Sequence, residues 1–325
     1  MSKPARIFLL LLLAAPFAHS QENPDLRREA IQLLEHAHAV STSPDMLPSE
    51  RIDTFRILDA TSGPREGTFR IVKIRSLGGT REDISFGDFN TVDIWTPAGL
   101  STNRKSETLP GDVMTVRAIT PMYLLHFGEE DVIQAVTDKA GNGHPVRCVE
   151  FNTIKGLKRE NNEFCFDPAN GTLVTERIGD EAIENSDFVP FAGALFPSKI
   201  VYSLAAKPRI EISQTIQKLQ PPIESYLTPP EGSATRPFCK SFRRPIPVSM
   251  PQPKPGNGSR DIDVQLQGVV GRDGKIHEPV VQTAETDALA KEALALINQW
   301  TFTPPVCNGE PSTAEVTLVV HFHGQ

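Results

Sequence analysis

Between Thr54 and Leu219 apolar and polar residues alternate again and again. "GTFRIVKIRS", "REDISFGDF", "TVDIWTP", "HPVRCVEFNT", "NEFCFDP", "GTLVTERI", "PSKIVYSL" and "RIEISQTI" carry the period of two, or the β-branched and aromatic runs, that a strand needs. Gly, Pro, Asn or Asp bounds each of them. Eight or more short strands in succession predict one antiparallel sheet, strongly curved or rolled into a barrel. "FCFDPANGTLV" reads as a hairpin turned by Asp167 to Gly171, and the polar "IKGLKREN" reads as the loop before it. Ahead of the strands, "NPDLRREAIQLLEHAHAV" places Leu26, Ala30, Leu33, Leu34 and Ala37 on one helical face, with Asn23 as cap and Pro24 in the first turn. "MTVRAITPMYLLHFGEEDVIQAV" mixes apolar runs with acids and predicts helices that cover an open side of the sheet.

The pattern changes again beyond Lys218. Ten prolines fall between Lys218 and Asp261, a density that favours extended polyproline geometry and predicts a semi-rigid spacer over 221–260. Its second half is basic, with Arg236, Lys240, Arg243, Arg244, Lys254 and Arg260 and no acid, so it reads as a solvated linker or a contact to anionic lipid or polymer. In "DIDVQLQGVV" Ile262, Val264 and Leu266 alternate, "GRDG" turns, and "KIHEPVV" returns. Thr286 can cap a helix on which Leu289, Ala293, Leu296, Ile297 and Trp300 recur on one side. Phe302 follows, and Val316, Leu318, Val320 and Phe322 alternate along a final strand. The order strand, strand, helix, strand over residues 261–325 makes a small ββαβ domain. Its expected core is Leu289, Ala293, Leu296, Ile297, Trp300 and Phe302.

The N-terminus adds a compartment. Lys3 and Arg6 precede an unbroken apolar run from Ile7 to Ala15, and Ala18-His19-Ser20 offers small residues around a cut. Residues 1–20 therefore read as a secretory signal segment, too short for the about 20 apolar residues of a spanning helix. No transmembrane anchor is expected. The exported chain loses two cations and no acid, which moves its formal charge from −7 to −9. That acidity excludes general nucleic-acid binding.

Cys148, Cys165, Cys239 and Cys307 make an even count in an exported chain and predict disulfides, with three possible connectivities. Position favours 148–165 and 239–307, worth roughly 3 and 4 kcal/mol by loop entropy. No zinc spacing, Gly-x-Ser-x-Gly, His-Glu-x-x-His or phosphate loop occurs, so no catalytic residue, metal site or cofactor is expected. His36 and His38 diverge on the helix, and His321 and His323 read as polar decoration of the last strand.

"VVGRDGKIHEPVV" with "LAKEALALINQWTFTPPVCNGEPSTAEVTLVVHF" resembles the TonB C-terminal domain. Asp273-Gly274, Ala293-Leu294, Trp300-Thr301-Phe302, Pro304, Asn308-Gly309 and Phe322 occupy that family's turn, helix, Trp-x-Phe-x-Pro and closing-strand positions. "CFDPANGTL" and "SDFVPFAGALFPSKIVYSLAAKPRIEISQTI" look like the LolA-type periplasmic carriers of lipoproteins, with Gly193 to Pro197 at the step into consecutive strands. These resemblances imply a mainly β fold with an α+β tail. An N-terminal helix and a half-open antiparallel β-barrel would span 21–220, followed by the proline-rich linker and the TonB-like domain.

They imply a non-enzymatic envelope protein that holds a lipid or acyl chain and meets an envelope protein partner. The alternative is a pure periplasmic adaptor that docks by strand addition and carries no lipid. The candidate edge is Val316, Thr317, Leu318, Val319, Val320, His321, Phe322 and His323. An exported, periplasmic location follows, with association to the outer membrane an option. No motif specifies an oligomeric state.

Overall fold

The computed structural model describes residues 23–42, 47–58, 63–105, 109–119, 125–141, 144–155, 158–253 and 261–323. The stretch read as a signal segment lies outside them. Twelve strands follow one another: β1 (Ser49–Ile57), β2 (Arg65–Ile74), β3 (Gly79–Phe86), β4 (Phe89–Thr96), β5 (Gly99–Thr102), β6 (Asp131–Gly141), β7 (His144–Lys155), β8 (Lys158–Phe166), β9 (Leu173–Ile178), β10 (Glu181–Phe191), β11 (Ala194–Leu204) and β12 (Lys207–Lys218). With β13 (Ala234–Arg236) they form one 13-stranded sheet in the order β13-β5-β4-β3-β2-β1-β12-β11-β10-β9-β8-β7-β6.

The chain path explains this order. β1 to β5 run outward as successive hairpins. The chain then crosses to the opposite edge, and β6 to β12 meander back until β12 pairs with β1 from Ser49↔Lys218 to Ile57↔Ile210. Helix α2 (Gly111–Ile119) lies on that crossing and packs Val113, Val116 and Ile119 against the sheet. Helix α1 (Pro24–Ser41) starts where the side chain of Asn23 accepts from the Asp25 N–H. It buries Ala30, Leu34 and Ala37 against Ile133, Val149, Phe151 and Phe164. Two helices thus cover one face of a single open sheet, which otherwise would expose its apolar positions to water.

Two local expectations change, and the favoured Cys148–Cys165 pairing stands. "DVIQAV" is strand β6, because an apolar run flanked by acids satisfies either period and its pairing with β7 decides. Most of "IKGLKREN" is strand as well, since β7 and β8 stay paired as far as Lys155↔Lys158. Cys148 stands directly opposite Cys165 in that hairpin, and the two are joined, with an S–S distance of 2.11 Å.

The small domain comprises β16 (Ile262–Val270), β17 (Ile276–Thr283), α3 (Asp287–Ile297), β18 (Thr301–Phe302), β19 (Val306–Cys307), β20 (Glu310–Pro311) and β21 (Ala314–Phe322). Its main sheet is ordered β17-β16-β21. Thr286 Oγ1 accepts from the Leu289 N–H at 3.3 Å, which caps α3. Ala293, Ile297, Trp300 and Phe302 pack with Val264, Leu266, Val320 and Phe322, and Leu289 and Leu296 flank them half-buried. Gly274, at φ +73°, turns β16 toward β17. A Cβ there would fall 2.2 Å from the carbonyl oxygen of Phe302, whose N–H donates to Gly274 O at 2.8 Å. Only glycine meets both requirements.

Over its described residues, 221–253, the semi-rigid proline-rich stretch is fastened to both the large sheet and the small domain. A short 3-10 helix, Ile223–Leu227, covers Val72, Ile74 and Leu219 on the outer face of the large sheet, and β13 pairs with β5. Further on, β14 (Phe242–Arg243) pairs with β19 and β15 (Pro247–Ser249) with β18. Cys239 is bonded to Cys307, and Trp300 Nε1 donates to Pro251 O at 3.1 Å. Proline lacks the N–H of an interior strand, yet its extended geometry is compatible with pairing along one side.

Candidate functional site

The helix-covered face of the large sheet is the first candidate. Phe55, Phe69, Ile71 and Ile84 from β1 to β3 and Ile200, Tyr202 and Ile212 from β11 and β12 form an apolar floor. Leu109, Val113, Val116 and Ile119 roof it. Register keeps the strand positions in phase, since Phe55 faces Ile212 and Phe69 faces Ile84. Farther along the face, Phe127, Phe151 and Phe164 stack with ring centroids 4.8 to 5.7 Å apart beneath α1. α2 shares no strand pairing with this floor. Its fixed points are the packed side chains and two ion pairs, Arg65 to Asp112 at 2.6 Å and Arg117 to Glu82 at 3.1 Å. The Arg117 guanidinium also lies 5.6 Å over the Trp95 ring.

At one end the in-phase positions turn from apolar to charged. Asp53, Glu82 and Asp93 occupy the helix-covered side of β1, β3 and β4, because Asp53 is opposite Phe69, Glu82 opposite Ile71, and Asp93 opposite Glu82. Asp53 and Asp93 are fully buried. Gln214 Nε2 donates to Asp53 Oδ1 at 3.0 Å, and Arg51 pairs with Asp53 Oδ2 at 2.9 Å. Thr102 Oγ1 donates to Asp93 Oδ1 at 2.6 Å, and Arg104 Nε donates to Asp93 Oδ2 at 2.7 Å. Burial pushes the Asp53 carboxyl up against the opposing pull of Arg51, and does the same to Glu82 against Arg117. Burial lowers the Lys73 ammonium, with Arg51 and Arg75 adding to the effect. Thr91 Oγ1 and Arg51 Nε are buried without a hydrogen-bond partner among the described residues. Such a band holds polar groups ready beside an apolar floor.

Sequence reasoning did not find this band. The signal was present: Asp53 stands two residues before Phe55, Glu82 two before Ile84, and Asp93 two after Thr91. Each acid therefore shares the phase of a buried residue. A second acidic site lies on β9 and β10. Burial raises Glu176 to about 7, helped by Glu181. Burial likewise raises Tyr202 to about 12, next to the same Glu181.

The second candidate is the last strand. β21 pairs with β16 from Ile262↔Phe322 to Val270↔Ala314 and forms one margin of its sheet. Leu318, Val320 and Phe322 are buried, Val316 and Val319 are half-buried, and Thr317 and His321 are exposed. His323 lies just beyond the strand. At the other margin β17 lies against α2, where Gln282 Nε2 approaches Met114 Sδ at 3.4 Å. His321 Nδ1 pairs with Asp263 at 2.8 Å and His323 Nδ1 with Asp261 at 3.4 Å, so carboxylates on or beside β16 hold both rings. Among the described residues one group of three potential metal donors lies close together, Cys148, Glu163 and Cys165. Its sulfurs are consumed in the disulfide and offer no thiolate.

With this geometry in place, comparison with known families is informative for the small domain. Residues 261–323 match the family model of the Gram-negative bacterial TonB protein C-terminal. The TonB-type domain is about a fifth of the chain. No curated protein matches the chain by sequence. Among solved structures, the chain is similar to a putative outer membrane lipoprotein-sorting protein domain from Vibrio parahaemolyticus. The identity is 9%, the TM-score is 0.38, and 61% of this chain and 98% of that one are covered. It is similar to a LolA superfamily protein from Nitrosomonas europaea at 10% identity and TM-score 0.38, over 61% and 96% of the two chains. It is also similar to the MucA/MucB complex of Pseudomonas aeruginosa at 14% identity and TM-score 0.31, over 90% and 94%. The open sheet under two helices stands on its own strand order and register, beside the TonB-type domain. No described helix is long and apolar enough to cross a membrane.

Proposed function

We propose that the protein is a non-enzymatic, exported envelope protein. Its curved sheet holds an acyl chain or lipoprotein tail on the helix-covered face, and its TonB-type domain docks an envelope protein by strand addition at β21. One observation carries the reading: a continuous apolar floor is roofed by a nine-residue helix that contributes no strand pairing to the sheet. Displacing α2 would break the Arg117–Glu82 and Arg65–Asp112 pairs, its contact with β17 and side-chain packing, and would require no strand pairing to break. Burial of an alkyl chain on the uncovered floor would supply affinity at about 25 cal/mol per Å².

Titration with a fluorescent long-chain fatty acid tests this. Saturable binding, abolished by Ile71→Asp and Ile212→Asp in otherwise folded protein, is the expected result. Absence of saturable binding, or binding indifferent to both substitutions, would refute the cargo site.

A second reading is favoured by the closeness of the packing. Val113 and Val116 already fill the floor, at 2% and 0% exposure. On that reading the chain is an adaptor alone, and the large sheet is a scaffold that presents the TonB-type domain.

A further inference from the structure

The strap between the two sheets presents a surface that neither half of the proposed function uses. Among the described residues, half of the large exposed apolar side chains fall between positions 238 and 250. They are Phe238 at 51% exposure, Phe242 at 47%, Ile246 at 59%, Val248 at 67% and Met250 at 39%. Lys240, Arg243 and Arg244 lie among them, all exposed, and form no ion pair among the described residues. No acid occurs from Arg236 to Met250, in a chain whose formal charge is −7. Bends at Lys240 and Ser241, whose N–H groups both meet Asn308 Oδ1, and a shift in register between Pro247 and Ser249 break the strand alternation, so apolar and cationic groups interleave along one exposed strip of chain.

The backbone of the strap is fixed. Phe242 and Arg243 pair with Cys307 and Val306, and Pro247 and Ser249 pair with Phe302 and Thr301. The Ile246 N–H donates to Thr303 Oγ1 at 2.9 Å, and the Thr303 N–H returns to Ile246 O at 2.8 Å. Asn308 Oδ1 accepts from the N–H groups of Lys240 and Ser241 at 3.0 and 3.1 Å. The Cys239–Cys307 disulfide closes the end. A solvated linker needs neither this clamping nor five exposed apolar side chains, and a patch of that kind marks an interaction site. The nearest acid in the same small sheet, Glu310, is on β20 at its far side.

We propose that this strap is a membrane-surface contact. Phe238, Phe242, Ile246, Val248 and Met250 enter the headgroup region of an anionic bilayer while Lys240, Arg243 and Arg244 meet its phosphates. The interleaving of cations with apolar groups selects this occupant, because a purely apolar partner would leave three charges desolvated and unpaired. Contact at the strap would hold the TonB-type domain, to which it is clamped, against the bilayer surface.

The test is vesicle flotation with protein purified after export and with both disulfides intact. Vesicles of phosphatidylglycerol with phosphatidylethanolamine are compared with vesicles of phosphatidylcholine. The protein is expected to float with the anionic vesicles, to stay behind with the zwitterionic ones, and to be released by salt. Lys240→Gln, Arg243→Gln and Arg244→Gln together should weaken binding roughly a hundredfold. Ile246→Ser with Val248→Ser should abolish flotation with the charge unchanged. All five side chains are exposed, so near-ultraviolet circular dichroism should be the same for each variant. No flotation with anionic vesicles, equal flotation with phosphatidylcholine, or binding untouched by either variant would overturn the proposal. So would a concentration-dependent dimer in sedimentation that the same substitutions abolish, since a second copy would then cover the face.

Discussion

Glu176 is the residue most out of keeping with its surroundings. On β9 it faces Phe164 of β8 and Ile183 of β10, both of which belong to the packed side of the sheet. Burial, with Glu181 as a diagonal neighbour, raises its carboxyl to about 7. The folded state therefore holds a proton that the unfolded chain releases near its ordinary value of 4.5. Stability from this group is full below about 4.5 and is lost as pH rises through about 7. Glu176→Gln should equal the parent near pH 4 and exceed it by about 2 kcal/mol at pH 8. Urea unfolding at the two pH values checks this, and a difference that does not change with pH would contradict it. The same kind of inward acid recurs at Asp53, Glu82 and Asp93, where cationic or hydrogen-bonding partners compensate. Removing one partner there leaves a buried charge exposed to the full cost of desolvation.

Among the elements, β21 is the proposed docking edge. It is nine residues long, paired along one side, and ends in His321 and Phe322. Photo-crosslinking side chains placed at Thr317 and Val319 should give one discrete partner species in cells. The same group at exposed Lys291 on α3 should give none. Equal labelling from Lys291, or no product from β21, would reject the edge as the docking site.

The elements also show why some structure was legible in the sequence and some was not. The helix faces of α1 and α3, the caps at Asn23 and Thr286, and the alternation of β16 and β21 are written locally, within one or two turns or strand repeats. β14 and β15 are not, because their partners lie in 301–307, about sixty residues away, and prolines mask the strand pattern. β6 was hidden by acids that fit a helix equally well. The charged band was hidden because each of its members looks like an ordinary polar residue until register places it beside Phe69 or Ile71.

On the scale of the whole molecule, the connections matter as much as the sheets. α2 touches both halves: its inner face roofs the large sheet and its N-terminal turn lies against β17, with Arg104 and Glu315 pairing nearby at 3.4 Å. On the proposed function, loss of α2 from the floor would also release a contact to the TonB-type domain and would link cargo to docking through one short helix. The strap is the second connection. Its disulfide spans 68 residues, and loop entropy gives it up to about 4 kcal/mol. Cys239→Ser with Cys307→Ser should lower the melting transition of the small domain and leave that of the large sheet in place. Hydrogen exchange along β16 and β21 separates the two, and a loss of protection confined to β1–β12 would be the contrary result.

Cargo on the helix-covered face is the central claim, and native mass spectrometry tests it most directly. Protein exported to an oxidising compartment and purified without detergent should carry adducts of lipid mass that vanish on denaturation. A bare chain at the mass of two disulfides, in every preparation, would contradict the carrier and leave the TonB-type domain and its β21 edge as the working part of the molecule.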